Sequence, residues 1–112
     1  MMKPQKEVIG ASTHLLILSV LAAQANYGYE IIRRINDEAD GVFVWQEGTV
    51  YPLLHKLEKD GLVRAQWQRA DTGRQRKYYY ITAAGRGALE TGTREWTQFH
   101  GMIMRLAPDI TH

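Results

Sequence analysis

Apolar positions recur with helical period through four stretches of this chain and with strand period through three. From Gly10 to Ala25, Leu15, Leu16, Leu18, Val20, Leu21 and Ala22 nearly surround the helix axis. That suits a helix buried on most sides, with Ser12 or Thr13 as its cap and Asn26 as its terminator. Tyr27-Gly28-Tyr29 opens a second helix, whose stripe of Ile31, Ile32, Ile35 and Ala39 opposes Arg33, Arg34 and Asp37; Tyr29 is read as core. Asp40 to Glu47 form a linker in which Gly41 permits a turn. Within it Val42-Phe43-Val44-Trp45 alternates like a short strand, either pairing with the hairpin that follows as a third strand or packing under it. Trp45 is read as structural, or as a pocket wall if part of it is exposed.

The third helical stretch organises the rest. Val50, Leu53, Leu54 and Leu57 fall in one apolar arc, with Thr49, Pro52, His55, Lys56 and Lys59 on the other side. Thr49 is expected to cap this helix, which puts Pro52 in its first turn, and Gly61 to end it through a left-handed backbone. Val63 to Arg69 then alternates, turns at Ala70-Asp71-Thr72-Gly73-Arg74, and returns through Gln75 to Ile81 as a β-hairpin. Of Tyr78, Tyr79 and Tyr80, at least one must face away from the core. A helix running straight into a basic two-stranded ribbon has the layout of a winged helix-turn-helix. The predicted class is mainly α with a small β-hairpin (α+β), a winged helix-turn-helix over residues 1–82 followed by a C-terminal helix and tail over 83–112.

Thr82 is expected to cap that last helix, which runs to about Ala107 before Pro108. Leu89, Gly92, Trp96, Phe99, Ile103 and Leu106 are spaced alternately by three and four, a coiled-coil seam with one hole at Gly92. Gly85, Gly87, Gly92 and Gly101 each weaken a helix by roughly 1 kcal/mol relative to alanine. Such a helix is poorly populated alone and is expected to fold against a second copy of itself, packed on the first helix as well. A two-fold dimer sets two reading helices about 34 Å apart, one duplex turn, to meet a roughly palindromic site. Around the dimer axis, Gly92, Trp96 and Phe99 are expected to bound a space for a planar aromatic molecule, since flat molecules stack on indole faces; dimer core is the plainer role for Trp96.

The motifs also carry a resemblance. Gly28-Tyr29-Glu30-Ile31-Ile32, Gly48-Thr49-Val50-Tyr51-Pro52 with Leu57-Glu58-Lys59-Asp60-Gly61-Leu62-Val63, Gly73-Arg74-Gln75-Arg76-Lys77-Tyr78-Tyr79, and Ile81-Thr82-Ala83-Ala84-Gly85 follow in order. Together they resemble the PadR family of transcriptional regulators, in particular its short subfamily with a single helix after the wing. The resemblance implies a DNA-binding homodimer, and some short members bind small aromatic compounds at the dimer interface. It thus implies a repressor released by an aromatic effector.

Composition sharpens this picture. A length of 112 residues bounds the chain to one domain with a modest core. There is no cysteine, so no disulfide or thiolate zinc site, and the apolar run Leu15 to Ala23 is far short of the roughly 20 residues that cross a bilayer. No signal-like segment follows the N-terminus, and the expected location is the cytoplasm. The formal net charge is +2, but residues 56–77 carry +4 and the rest −2. Cations gathered on a hairpin and helix favour phosphate over a merely solvated face.

The nominated DNA contacts are Thr49, Tyr51 and Lys56 on the recognition helix, Lys59 on phosphate, and Arg74, Arg76, Lys77 and Tyr78 on the hairpin. Arg74 or Arg76 is the candidate for a narrow minor groove. Arg33 and Arg34 are either phosphate contacts or solvated. The plainer roles are a helix cap for Thr49, a core flank for Tyr51 and a solvated pairing with Asp60 for Lys56. Dimerisation is assigned to Leu89, Trp96, Phe99, Ile103 and Leu106. The four histidines, His14, His55, His100 and His112, show no metal-ligand spacing, and no catalytic constellation assembles, so no metal, cofactor or enzymatic role is expected. His55, on the exposed helix face, is a further DNA candidate. The competing function is a winged-helix protein-interaction module that touches no DNA.

Overall fold

A computed structural model of the chain describes residues 6–41, 44–69 and 71–107, with side chains from residue 12 onward. Its elements in order are α1 (Lys6–Ala23), β1 (Asn26–Tyr27), α2 (Gly28–Ala39), α3 (Glu47–Lys59), β2 (Val63–Arg69), β3 (Gln75–Ile81) and α4 (Ala83–Leu106). The three strands form one antiparallel sheet in the order β1-β3-β2. This is the winged helix-turn-helix that the sequence predicts, mainly helical with a small sheet.

The core is where three helices and one sheet face meet. Ile17, Leu18 and Leu21 of α1, Ile31, Ile32 and Ile35 of α2, Val50, Leu54 and Leu57 of α3, and Val63 and Tyr79 of the sheet are buried together with Trp45. Each such side chain contributes roughly 1.5–3 kcal/mol by leaving water. The stripes read from α2 and α3 are the faces that enter this core.

Several boundaries differ from expectation. The first helix starts at Lys6, so Ser12 and Thr13 sit inside it rather than at its cap, and Thr13 is fully buried. Asn26 does not terminate that helix; it lies in β1 opposite Tyr79, with Tyr27 opposite Tyr78. The sheet's third strand is therefore β1 and not the segment around Val44. Val42 and Phe43 lie outside the described residues. Residues 44–46 carry no strand, because Asn36 holds that backbone instead: its Nδ2 donates to the Trp45 carbonyl at 3.0 Å and its Oδ1 accepts from the Trp45 amide at 2.7 Å. A side-chain amide thus supplies the two bonds a neighbouring strand would have made. Trp45 is buried, as its structural role requires.

The recognition helix α3 begins earlier than Thr49. Gln46, in extended conformation, is its N-cap and makes no side-chain capping bond, while the Thr49 and Val50 amides donate to the Gln46 carbonyl at 2.9 and 3.1 Å. Pro52 consequently falls in the second turn, where its missing N–H leaves the Gly48 carbonyl without an i+4 donor. The C-terminal end follows expectation. Gly61 takes φ +77, its amide donates to the Glu58 carbonyl at 3.1 Å and the Leu62 amide to the Leu57 carbonyl at 2.9 Å, a Schellman ending.

Thr82 ties this end to α4. Its Oγ1 donates to the Gly61 carbonyl at 2.7 Å and accepts from the Gly85 amide at 3.0 Å, the N-cap bond of α4. Gly85 itself is buried; a Cβ there would collide with the Leu62 carbonyl.

Candidate nucleic-acid interface

The hairpin of β2 and β3 stands beside α3 as the wing. Unbroken register from Val63↔Ile81 to Arg69↔Gln75 pairs its strands along their whole length, and Gly73 at φ +85 turns it. Alternation divides its two faces. Val63, Ala65 and Trp67 of β2 share the core side with Ile81, Tyr79 and Lys77, while Arg64, Gln66 and Gln68 share the outer side with Tyr80, Tyr78 and Arg76. Tyr79 is the buried one of the three tyrosines, and Tyr78 and Tyr80 look away.

On the outer side the aromatic rings are paired. Tyr78 meets Tyr27 edge to face at 5.4 Å, the Arg64 guanidinium lies 4.6 Å from the Tyr80 ring centre, Arg76 lies 4.3 Å from that of Tyr27, and Gln68 donates to the Tyr80 hydroxyl. Each cation rests over a ring's negative face.

Between the wing, α3 and the start of α2 lies an open cleft of about 460 Å³. Its lining includes Arg74, Arg76 and Lys77 from the wing, His55 and Tyr51 from α3, and Tyr29 from α2, and among the described residues no carboxylate. The close approach of α2 to α3 depends on Gly28, since a Cβ there would strike the Tyr51 ring. Tyr51 is the half-buried floor of this junction, and burial pushes its hydroxyl pKa upward, so it stays a neutral hydrogen-bonding group through physiological pH.

The nominated contacts fare differently. Arg74 is exposed at the turn, beside the cleft. Arg76 is engaged with Tyr27, and Lys77 is held 3.6 Å from Glu58 with its ammonium 5.5 Å from the Tyr79 ring centre, bracing the wing on α3. Lys56 pairs with Asp60 at 3.6 Å, and both it and Lys59 are exposed but outside the cleft. Thr49 is half-buried within α3 and is not its cap. Tyr78 is on the outer side, away from the cleft. On α2, Arg33 is occupied by Glu30 and by Asp37 at 2.8 Å, and Arg34 is exposed. The Arg33 hydrogen bond holds the Glu30 carboxyl below its ordinary pKa.

Tyr29 and Trp67 are exposed aromatic residues of the cleft that were not among the nominated contacts. Tyr29, expected in the core, is 59% exposed, because Ile31, Ile32 and Ile35 take the inward face of α2. Trp67 is 64% exposed although it follows the inward alternation of β2. Only the length of the wing relative to the core separates it from Val63.

The C-terminal helix presents a second surface. Trp96, Phe99, Met102, Ile103 and Leu106 are all exposed, and Leu16 of α1 is exposed as well. Leu89 departs from the seam: it packs on the chain's own core. The hole expected at Gly92 is filled within the chain, for a Cβ there would lie 2.6 Å from Leu15 Cδ2 of α1. Gly92 therefore provides a seat for α1 and not space for a ligand. One face of the Trp96 indole is stacked on the His100 ring, 5.0 Å between centres and 7° between planes.

These elements, this sheet and this wing match known proteins. A model of the transcriptional regulator PadR-like family matches residues 17–91. The chain belongs to the PadR-like family. Among curated proteins it is similar to the transcriptional regulator Rv3488 of Mycobacterium tuberculosis, 41% identical over an alignment of 69 positions that covers 53% of this chain and 64% of that protein. Among solved structures it resembles a transcriptional regulator from Clostridium thermocellum, with TM-score 0.81 and 31% identity over 89% of this chain and 97% of that one. A PadR-like transcriptional regulator from Bacillus cereus superposes with TM-score 0.79 and 28% identity, covering 90% of this chain and 96% of that one.

As a PadR-like protein the chain is a DNA-binding transcriptional regulator and not an enzyme. Among the described residues no group of three potential metal ligands gathers, and no helix is long and apolar enough to cross a membrane.

Proposed function

We propose that this PadR-like regulator acts in the cytoplasm as a homodimeric repressor of a roughly palindromic operator, released by a planar aromatic effector. The observation that carries the dimer is the apolar stripe Trp96, Phe99, Met102, Ile103 and Leu106, uncovered along the free part of α4. Monomeric proteins seldom leave such a contiguous patch in water, and a second α4 is the self-complementary way to bury it. The two copies present α3 and the wing to successive major and minor grooves, with Arg74 as the wing's phosphate or minor-groove contact.

The effector reading rests on Trp96 and Phe99 without Gly92. A planar molecule at the interface stacks on the indole, displacing His100 or using the opposite face, and alters the angle between the two α4 helices. That changes the spacing of the reading heads, and a coupling of about 1–3 kcal/mol weakens operator binding 5- to 150-fold.

Sedimentation at micromolar concentration tests the dimer, with a monomer as the result that sinks it. Anisotropy titrations on DNA across a salt series test the interface: phosphate contacts make log affinity fall by about 0.9 per contact with log salt, and a flat dependence means the winged helix serves protein partners instead. Titrating planar cationic dyes against tryptophan emission, then measuring operator affinity with and without saturating dye, tests release. Unchanged affinity removes the effector mechanism and leaves the repressor standing.

A further inference from the structure

Trp67 is the most exposed aromatic side chain of the cleft. It shares a face of β2 with Val63, which is buried, and Ala65, which is partly so. By Trp67 the wing has run past the core, and the indole overhangs the cleft. Its cross-strand neighbour is Lys77, anchored to Glu58, and Arg74 at the turn shares the cleft. Tyr29 and His55 stand across the cleft on α2 and α3.

An indole among cations, with no carboxylate among the described residues of the lining, suits a partner in which negative groups alternate with apolar surface. A DNA strand has that character: each deoxyribose presents a carbon face between two phosphates. Cations alone recognise the phosphates, and their contribution falls as salt rises. An aromatic contact to the sugar carries no charge and so does not follow salt. We propose that Trp67 packs its indole against a deoxyribose of the strand lying in the cleft, supplying the wing with a salt-independent share of its DNA affinity. The proposal rests on the cleft being the DNA-binding face.

The test compares Trp67→Ala and Arg74→Ala with the wild-type protein on a duplex that the wild type selects from a random-sequence pool, over a salt series. Trp67→Ala should lose roughly tenfold in affinity at every salt concentration with an unchanged slope, the size of an aromatic contact to nucleic acid. Arg74→Ala should lower the slope by about one. Wild-type affinity in Trp67→Ala overturns the proposal, and so does a loss accompanied by a reduced slope. Trp67→Phe should recover part of the loss, which a merely disturbed wing would not. As a second readout, the difference in emission between the wild type and Trp67→Phe isolates the Trp67 contribution from those of Trp45 and Trp96. Saturating duplex should then shield that contribution from acrylamide, and undiminished quenching overturns the contact. If the wild type selects no duplex, the cleft is not a DNA interface and both readings fall; if it does and Trp67→Ala is silent, only the aromatic contact falls.

Discussion

Residues 83–92 and residues 96–106 belong to one continuous helix with one apolar spacing, yet they meet different surroundings. The first part closes on its own chain through small residues: Gly85 under the Leu62 carbonyl, Gly92 against Leu15, with Ala88 and Leu89 beside the core. The second part carries the bulky ones, Trp96, Phe99, Met102, Ile103 and Leu106, and these face outward. Side-chain size along α4 therefore marks the point where the helix leaves its own fold. A heptad count alone treats both parts as one seam, and the glycines that look like helix defects are the close-approach points of the first part.

The largest effect that would break this comparison is expected from Phe99→Glu. In the proposed dimer it buries an unpaired charge at a cost of about 3–5 kcal/mol, more than a hundredfold in the dissociation constant, and sedimentation should report monomers. Circular dichroism should show a folded chain, because Phe99 is exposed within one subunit. A dimer that survives would mean the outward face is not the interface.

Gly85→Ala should come next. The added methyl meets a backbone carbonyl, which cannot swing aside, so urea unfolding should show a loss of about 1–3 kcal/mol. Gly92→Ala sharpens the contrast, since the obstacle there is the end of a flexible leucine; rearrangement of Leu15 and the gain in helix propensity of roughly 1 kcal/mol should nearly cancel. Gly87→Ala meets nothing within 4 Å and should stabilise by up to about 1 kcal/mol in the same assay. Equal gains at all three glycines would show that propensity, and not close approach, governs this part of the helix.

Arg33→Ala, remote from either part of α4, should have the smallest effect and calibrates the series. The Glu30 carboxyl is held below its ordinary value of 4.5, chiefly by the Arg33 hydrogen bond. A depressed native pKa stabilises the fold above the unfolded pKa and loses that contribution as pH falls through the native value. In Arg33→Ala the Glu30 titration followed by NMR should move up toward 4.5, and the matching share of acid sensitivity should vanish, with little change in stability at neutral pH because the pair is exposed to solvent.

Much of this architecture was legible from residue order. Helical stripes on α2 and α3, strand alternation in the wing, the Gly61 stop and the Thr82 cap are local patterns, and local patterns fix which elements form. The start of α3 escaped because backbone bonds to the Gln46 carbonyl need no capping side chain. β1 escaped because two residues, Asn26 and Tyr27, carry no period; they become a strand only when β3 is alongside. Of the candidate site, Arg74 was legible as a turn cation, whereas Arg76 and Lys77 were spoken for by Tyr27 and Glu58, partners distant in sequence.

By itself the amino-acid order determined the winged helix-turn-helix, the basic hairpin and a final helix too glycine-rich to stand alone. Those follow from periodicity, backbone preference and charge, all of which act over a few residues. Tertiary structure alone decided that Leu15 fills the notch at Gly92, that Tyr29 and Trp67 emerge into a cleft, and that the outward stripe begins at Trp96. Which side of an apolar residue is covered depends on elements that come together only when the chain has folded.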